Sequence, residues 1–429
     1  MSEKTTSTAQ ILIEPSRALV DEKVSIRLAG FPEQELISVH ARMEDDLGRT
    51  WSSEAAFLTD DQGSVDLAQQ APQSGSYAAA DSMGLVWSMN LSPEETNLAL
   101  FAKTGLTPTR ISFTAKSQAG LEHAAELEQS HLAQGVTRKD VRDRGLRGTL
   151  FLPPGPGPHP TVIIIGGSGG GLQEGHAALC ASRGIAALAL AYFAFEDLPK
   201  FLIDIPTEYF ETAIDWMVEQ PEVDEAKLVL VGKSRGAEVA LQVGAMFSKV
   251  RGVIGYVPSH VIWSGIEEGG RGETFAWTYG GDGLTYVPTR MTPEQAAEIF
   301  GQERIPLTPM FLINLEDADA EAEAAIPVER INGPVLLISG KDDQMWPSSL
   351  MGERVIERLR KHNHPYRFED SAYEDAGHMI LVPYLQTTRN FSEHPVTGQV
   401  YTFGGTPEGY AAANEDSWAQ VLAFMRDTL

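Results

Sequence analysis

The sequence predicts an α/β protein built on a mostly parallel sheet and preceded by an all-β module, and three observations carry that prediction. From Thr161 onward, short apolar runs alternate with amphipathic stretches of helical spacing. One of those runs passes through a glycine-framed serine straight into a helix, and the first third of the chain reads instead as short alternating segments punctuated by Pro, Gly and Asp. Strands and helices alternating at this length imply right-handed crossovers and a sheet covered on both faces.

In chain order, the pattern gives an antiparallel pair around 148–152, a strand over 161–165, a helix over 174–182 and a strand over 185–192. A helix over 206–220, a strand over 227–231, a helix over 235–247 and a strand over 250–257 follow. Much later come a strand over 334–339, a helix over 350–362 and a strand over 366–369. The strand at 227–231 leads into Gly232-Lys233-Ser234-Arg235-Gly236. That is the nucleophile-elbow pattern, in which small flanking residues permit a strained turn that presents a serine oxygen. Gly166-Gly167-Ser168-Gly169-Gly170 has the same spacing, and with 40 glycines in the chain a match arises readily by chance. Element order separates the two. If 148–152 opens the sheet, Ser234 follows the fifth strand, where an α/β-hydrolase carries its nucleophile, and Ser168 follows the third, where that fold carries an oxyanion donor.

The same fold supplies an acid and then a histidine further along the chain. The strand at 334–339 ends in Gly340-Lys341-Asp342-Asp343, at the carboxyl end of a buried parallel strand, and Gly377-His378 follows the strand at 366–369. Serine at its own pKa is a poor nucleophile, so a histidine must take its proton and a carboxylate must fix the imidazole tautomer and stabilise the imidazolium. Spacing from Gly340 favours Asp343 over Asp342, whose alternative role is that of a turn carboxylate. The oxyanion needs two backbone N–H donors. One is expected from Arg235, at the start of a helix whose dipole favours negative charge, and the other from Ser168 or Gly169 in the glycine loop.

Residues 1–140 are expected to form an immunoglobulin-like β-sandwich with strands over 10–14, 23–28, 36–43, 55–58 and 109–115, and with 122–142 as a linker or peripheral strand. No titratable constellation there supports catalysis, so the expected role is structural. Residues 141–429 form the catalytic domain, with an insertion over 260–325 placed to act as a lid. No stretch approaches a membrane span, and the polar start, residues 1–10, lacks the pattern of a signal sequence. The single cysteine, Cys180, is expected to be a small core residue; a chain with one cysteine has no intrachain disulfide, which points to the cytoplasm. No His, Cys or carboxylate cluster has metal-ligand spacing and the glycine loop lacks the Lys-Ser/Thr ending of a P-loop, so no metal or other cofactor is expected.

From Ile11 onward the chain resembles the type I acyl-CoA thioesterases and bile acid-CoA:amino acid N-acyltransferases. The resemblance lies in Ile11-Leu-Ile-Glu-Pro15, Met83-Gly-Leu-Val-Trp-Ser88, Gly169-Gly-Gly-Leu172, Ala187-Leu-Ala-Leu-Ala-Tyr192, Phe195-Glu-Asp-Leu-Pro-Lys200, Glu208-Tyr-Phe210 and Ile326-Pro-Val-Glu329. It implies an α/β-hydrolase behind a β-sandwich, with nucleophile, acid and base at Ser234, Asp343 and His378. It also implies that members passing acyl groups to amino acids use cysteine where hydrolytic members use serine. Ser234 therefore implies a serine thioester hydrolase that cleaves acyl-CoA or a related acyl thioester; the alternative is a carboxylesterase, or an acyltransferase to an amine or alcohol, on the same triad. Two stretches depart from the family: Gly171-Leu172-Gln173-Glu174-Gly175-His176 lacks its aromatic residue and arginine, and 260–325 looks different from the animal enzymes. A formal charge of −26 opposes nucleic acid and repels a polyphosphate ligand at long range, leaving Lys233, Arg235, Arg271, Arg290 and Lys341 as local cations for a CoA substrate. The expected partner is thus a small-molecule acyl thioester or ester, with no nucleic acid and no membrane.

Overall fold

Leu36–Glu44 and Thr50–Leu58 set the pattern of the first part of the chain: Ile37, Val39, Ala41 and Met43 on one strand, and Trp51, Ser53, Ala55 and Phe57 on the other, are buried while their neighbours face outward. The computed structural model describes residues 9–92 and 100–428. The two strands pair antiparallel at the centre of a seven-stranded sheet whose path runs Arg17–Leu19, Glu122–Ser130, Thr109–Lys116, Leu36–Glu44, Thr50–Leu58 and Ser74–Gly75, with Asn90–Leu91 also on Thr50–Leu58. Gln10–Glu14, Ser25–Ala29 and Val65–Asp66 form a second, three-stranded sheet. By contact density the chain divides into two units, Met1–His131 with Val382–Arg389, and Leu132–Leu381 with Asn390–Leu429. The late segment completes the first unit: Thr387 N donates to Trp87 O at 3.0 Å and Thr388 Oγ1 to Met89 O at 2.7 Å.

The region expected to be a linker or peripheral strand, 122–142, is instead divided between the two units. Glu122–Ser130 is an integral strand of the first sheet, pairing along its length with Thr109–Lys116, and its charged outer face disguised it. Thr137–Val141 pairs with Arg147–Leu152 in the other sheet, so the boundary falls at His131 rather than near residue 140.

In the second unit, β1 (Thr137–Val141), β2 (Arg147–Leu152), β3 (His159–Ile165), β4 (Ala186–Ala191), β5 (Val223–Lys233), β6 (Val253–Tyr256), β7 (Val335–Gly340) and β8 (Phe368–Tyr373) form one sheet in the order β1-β2-β4-β3-β5-β6-β7-β8. β1/β2 and β2/β4 are antiparallel and every later pair is parallel. β4 and β7 are buried at every position, as expected of strands covered on both faces. This is the α/β-hydrolase fold. Helices α1 (Glu174–Ser182), α2 (Thr207–Val218) and α3 (Arg235–Met246) follow β3, β4 and β5. Between β6 and β7 lie α4 (Pro293–Phe300), α5 (Thr308–Asn314) and α6 (Ala318–Glu323); α7 (Ser348–Lys361) follows β7, and α8 (Pro407–Thr428) ends the unit. The chain reverses its direction of growth at β3 and β5, and the loop after β3 and the turn after β5 open at their carboxyl ends, where open sheets of this kind form sites.

Glycines make that turn possible by absence of bulk. A Cβ on Gly236 would lie 2.4 Å from the carbonyl oxygens of both Ile165 and Gly166, and one on Gly232 would lie 2.1 Å from Gly236 O. Gly236→Ala is therefore expected to lower stability by about 1–3 kcal/mol through overpacking. A urea titration reads this directly; an unchanged midpoint would mean that β3 moves aside at no cost.

Candidate active site

Ser234 stands at the end of β5 with φ 56° and ψ −121°, a left-handed conformation that a non-glycine residue adopts only when its surroundings enforce it. The enforcement is visible. Its N–H donates to Tyr256 O on β6 at 2.9 Å, and its carbonyl accepts from Ala237 and Glu238 at 2.8 and 3.0 Å as α3 begins. His378 Nε2 lies 3.0 Å from Ser234 Oγ, and His378 Nδ1 lies 2.9 and 3.1 Å from the two carboxylate oxygens of Asp343. A carboxylate only accepts, so Nδ1 carries the imidazole proton and the Nε2 lone pair is left facing the serine hydroxyl. All three are buried, at 7%, 5% and 5% exposure for Ser234, Asp343 and His378.

Supporting bonds hold each partner. Asp343 Oδ1 also accepts from the amides of Met345 and Trp346. Asp342 points elsewhere, accepting from Gly405 N at 2.8 Å, so of the two adjacent acids only Asp343 meets the histidine. His378 N donates to Phe403 O at 2.8 Å, while Tyr410 on α8 donates to Gly404 O and accepts from Met379 N.

The Arg235 amide opens α3, and in the loop after β3 it is Gly167 that abuts Ser234: a Cβ there would lie 3.3 Å from Ser234 Cβ. Ser168 lines the same cavity as Ser234 and His378, its hydroxyl 2.9 Å from His394 Nε2. Gly169 is exposed, lies against Pro395 and is not part of the lining. The cavity measures about 270 Å³. Its lining includes apolar side chains, Met291, Phe300, Leu307, Met310, Phe311 and Trp346, and a polar group from the end of the chain, His394, Thr397, Gln399 and Tyr401. Much of the apolar lining thus comes from the 260–325 insertion.

The Arg235 side chain turns inward. Only 1% exposed, it pairs with the fully buried Glu238 at 3.2 Å and donates to Trp263 O at 2.9 Å, and Trp277 Nε1 donates to the same Glu238 oxygen at 2.7 Å. Lys233 Nζ lies against Met379 Sδ at 3.7 Å; burial pushes its pKa down to about 7, with Asp343 pulling the other way. Lys341 is bonded to Glu374, and Arg290 to Asp317 at 2.7 Å. Four of the five cations considered for a CoA phosphate are therefore buried or engaged, and the side chain of the fifth, Arg271, lies outside the described residues.

Residues 21–143 match the family description "Acyl-CoA thioester hydrolase/BAAT N-terminal region", and residues 205–429 match "BAAT / Acyl-CoA thioester hydrolase C terminal". The chain is 31% identical to mouse acyl-coenzyme A amino acid N-acyltransferase 1, with 98% of each chain covered. It is likewise 31% identical to human acyl-coenzyme A thioesterase 1, over 98% of this chain and 97% of that one. The chain belongs to the acyl-CoA thioester hydrolase/BAAT family. A mouse peroxisomal succinyl-coenzyme A thioesterase is 30% identical over 97% of this chain and 96% of its own.

Within this family site, the sequence reading missed a hairpin, Phe391–Glu393 with Val400–Thr402, that bears His394 and the polar lining, and α8, which carries Tyr410. Strands of three residues leave no periodicity to detect. Glu238 had a signal, a lone carboxylate in the otherwise apolar run Ala237-Glu238-Val239-Ala240-Leu241. Among the described residues no group of His, Cys, Asp and Glu gathers to hold a metal ion, and no helix is long and apolar enough to cross a membrane.

Two outcomes follow from the buried charges. Glu238→Ala strands the Arg235 guanidinium in the interior, and unfolding measurements are expected to register a loss of about 3–5 kcal/mol; a loss below 1 kcal/mol would mean that water reaches it. Below pH about 7 Lys233 is protonated in both folded and unfolded chains, and in the folded chain its charge sits against Met379 at a cost in stability. As pH rises toward the ordinary value of 10.5 the folded chain holds it neutral while the unfolded chain still binds the proton, so stability rises across that window. Thermal midpoints of wild type and Lys233→Met should accordingly converge as pH rises from 7 to 10 if the wild-type penalty comes from this ammonium, and parallel curves would exclude it.

Proposed function

We propose that the protein is a serine thioester hydrolase that cleaves acyl-CoA, or a related acyl thioester, to the free acid and thiol. The observation that carries the reading is the hydrogen-bonded line Asp343–His378–Ser234 opening on a cavity lined in good part by apolar side chains. Full-length relatives named as thioesterases support it.

The chemistry follows from the tautomer. His378 Nε2 takes the proton as Ser234 Oγ attacks the thioester carbonyl carbon, and Asp343 stabilises the imidazolium. The oxyanion is met by the Arg235 amide at the head of α3 and by an amide of the 167–169 loop, of which Ser168 is better placed than Gly169 because it lines the cavity. Collapse breaks the C–S bond, and the imidazolium returns its proton to the departing sulfur. Water, activated by His378, then attacks the Ser234 ester and releases the acid. An oxygen ester at this stage is a poorer acyl donor to amines than a thioester, so a serine nucleophile favours water as acceptor. The apolar lining suits the acyl chain. A cytoplasmic location fits a chain whose one cysteine is buried and forms no disulfide.

Thiol release from acyl-CoAs of increasing chain length, beside matched nitrophenyl esters and with and without glycine as acceptor, tests this reading. CoA turnover with a chain-length optimum, reduced roughly 10⁴-fold or more by Ser234→Ala, is expected. Ester cleavage without CoA turnover would replace the thioesterase by a carboxylesterase, and an N-acylglycine product by an acyltransferase.

A further inference from the structure

We infer that the side chain of Ser168, held by His394, is a further hydrogen-bond donor to the oxyanion, so that this one residue faces the reacting carbonyl with its hydroxyl as well as from its backbone. The inference rests on Ser234 being the nucleophile.

The direction of the Ser168–His394 bond decides what the pair can do. His394 Nδ1 accepts from the amides of Val396 and Thr397, at 3.3 Å each. A neutral imidazole carries one N–H, so with Nδ1 accepting, the hydrogen sits on Nε2 and points at Ser168 Oγ, 2.9 Å away. His394 thus donates to the serine and takes nothing from it. This is the reverse of the His378–Ser234 pair, and it excludes Ser168 as a second activated nucleophile. It also leaves the hydrogen of Ser168 uncommitted: among the described residues its hydroxyl has no other partner.

The hydroxyl is in the right place to spend that hydrogen on substrate. Ser168 directly follows Gly167, whose Cβ position would lie 3.8 Å from Ser234 Oγ, and it lines the cavity with Ser234, Arg235 and His378. The carbonyl oxygen of an acyl group attacked by Ser234 must lie between the amide at the head of α3 and this loop. The hairpin fixes the loop at two adjacent points. His394 bonds Ser168, and Pro395 Cγ would meet a Cβ on Gly169 at 3.4 Å. The hairpin in turn is closed by His394 N donating to Gln399 O at 2.8 Å and Gly398 N to His394 O at 2.9 Å. His394 is therefore a positioning residue, setting the rotor of a donor before charge develops, which is the condition under which such a donor lowers a barrier.

Steady-state kinetics of Ser168→Ala, Ser168→Thr, His394→Ala and the double variant Ser168→Ala/His394→Ala test the assignment, with thermal midpoints confirming that each is folded. Ser168→Ala is expected to lower kcat roughly 10²-fold with KM little changed, the signature of a contact made only in the transition state. Ser168→Thr, which keeps a hydroxyl, should recover most of it. His394→Ala should lose less than Ser168→Ala, and adding it to Ser168→Ala should cost nothing further, because its effect runs through the missing hydroxyl. Affinity for an alkyl boronic acid, which forms a tetrahedral adduct on the serine, should fall in step with kcat. A Ser168→Ala enzyme within twofold of wild-type kcat, a loss confined to KM, or additive losses in the double variant would each overturn the proposal. Labelling by a fluorophosphonate separates this from failure of the underlying reading: if Ser234→Ala still labels, Ser234 is not the nucleophile. If nitrophenyl esters turn over and thioesters do not, the same variants measured on the ester still decide the role of the hydroxyl.

Discussion

The catalytic unit depends on how closely three stretches of backbone approach one another at the carboxyl ends of β3 and β5. Gly232, Gly236 and the carbonyls of Ile165 and Gly166 come together at distances no side chain survives, and the turn that results forces Ser234 to positive φ. Strain of this kind costs of order 1–3 kcal/mol and persists only where surrounding structure over-determines it. Here the bonds to Tyr256 on one side and into α3 on the other supply that determination. The serine is thereby raised out of its strand and aimed at His378, which a relaxed β-conformation would not do.

A second constraint acts one residue further on. Arg235 puts a cation at the positive end of a helix dipole and inside the protein, two unfavourable placements at once. Glu238, one turn along α3, pairs with it, Trp277 and the Trp263 carbonyl bond to the pair, and Arg235 Nε and Nη1 find no hydrogen-bond partner among the described residues. Because both tryptophans belong to the segment after β6, the network ties the insertion that lines the cavity to the helix that begins after Ser234. The apolar lining and the reacting centre are held as one body.

The parts legible in the sequence are those where local pattern and global role coincide. β4, β7 and the later parts of β3 and β5 are continuous, mostly apolar buried runs because both their faces are covered, and Ser234 and Asp343 follow the ends of β5 and β7. What stayed hidden has physical reasons. Glu122–Ser130 buries few side chains and shows three glutamates outward, so it read as a linker or peripheral strand. The pairing of Arg235 with Glu238 stayed hidden because the groups that cover it, Trp263 and Trp277, arrive from a later segment. His394 was invisible because the hairpin that presents it has strands of only three residues, too short for a periodicity.

The segment Val382–Arg389 belongs to the first unit although it lies between His378 and His394 in the chain. The polypeptide is thus sewn through the sandwich after the triad is complete and before the hairpin is laid down. No single cut separates the units: a fragment beginning at Leu132 would keep the buried residues Val382, Tyr384 and Thr387 and lack the rest of the unit to which they belong.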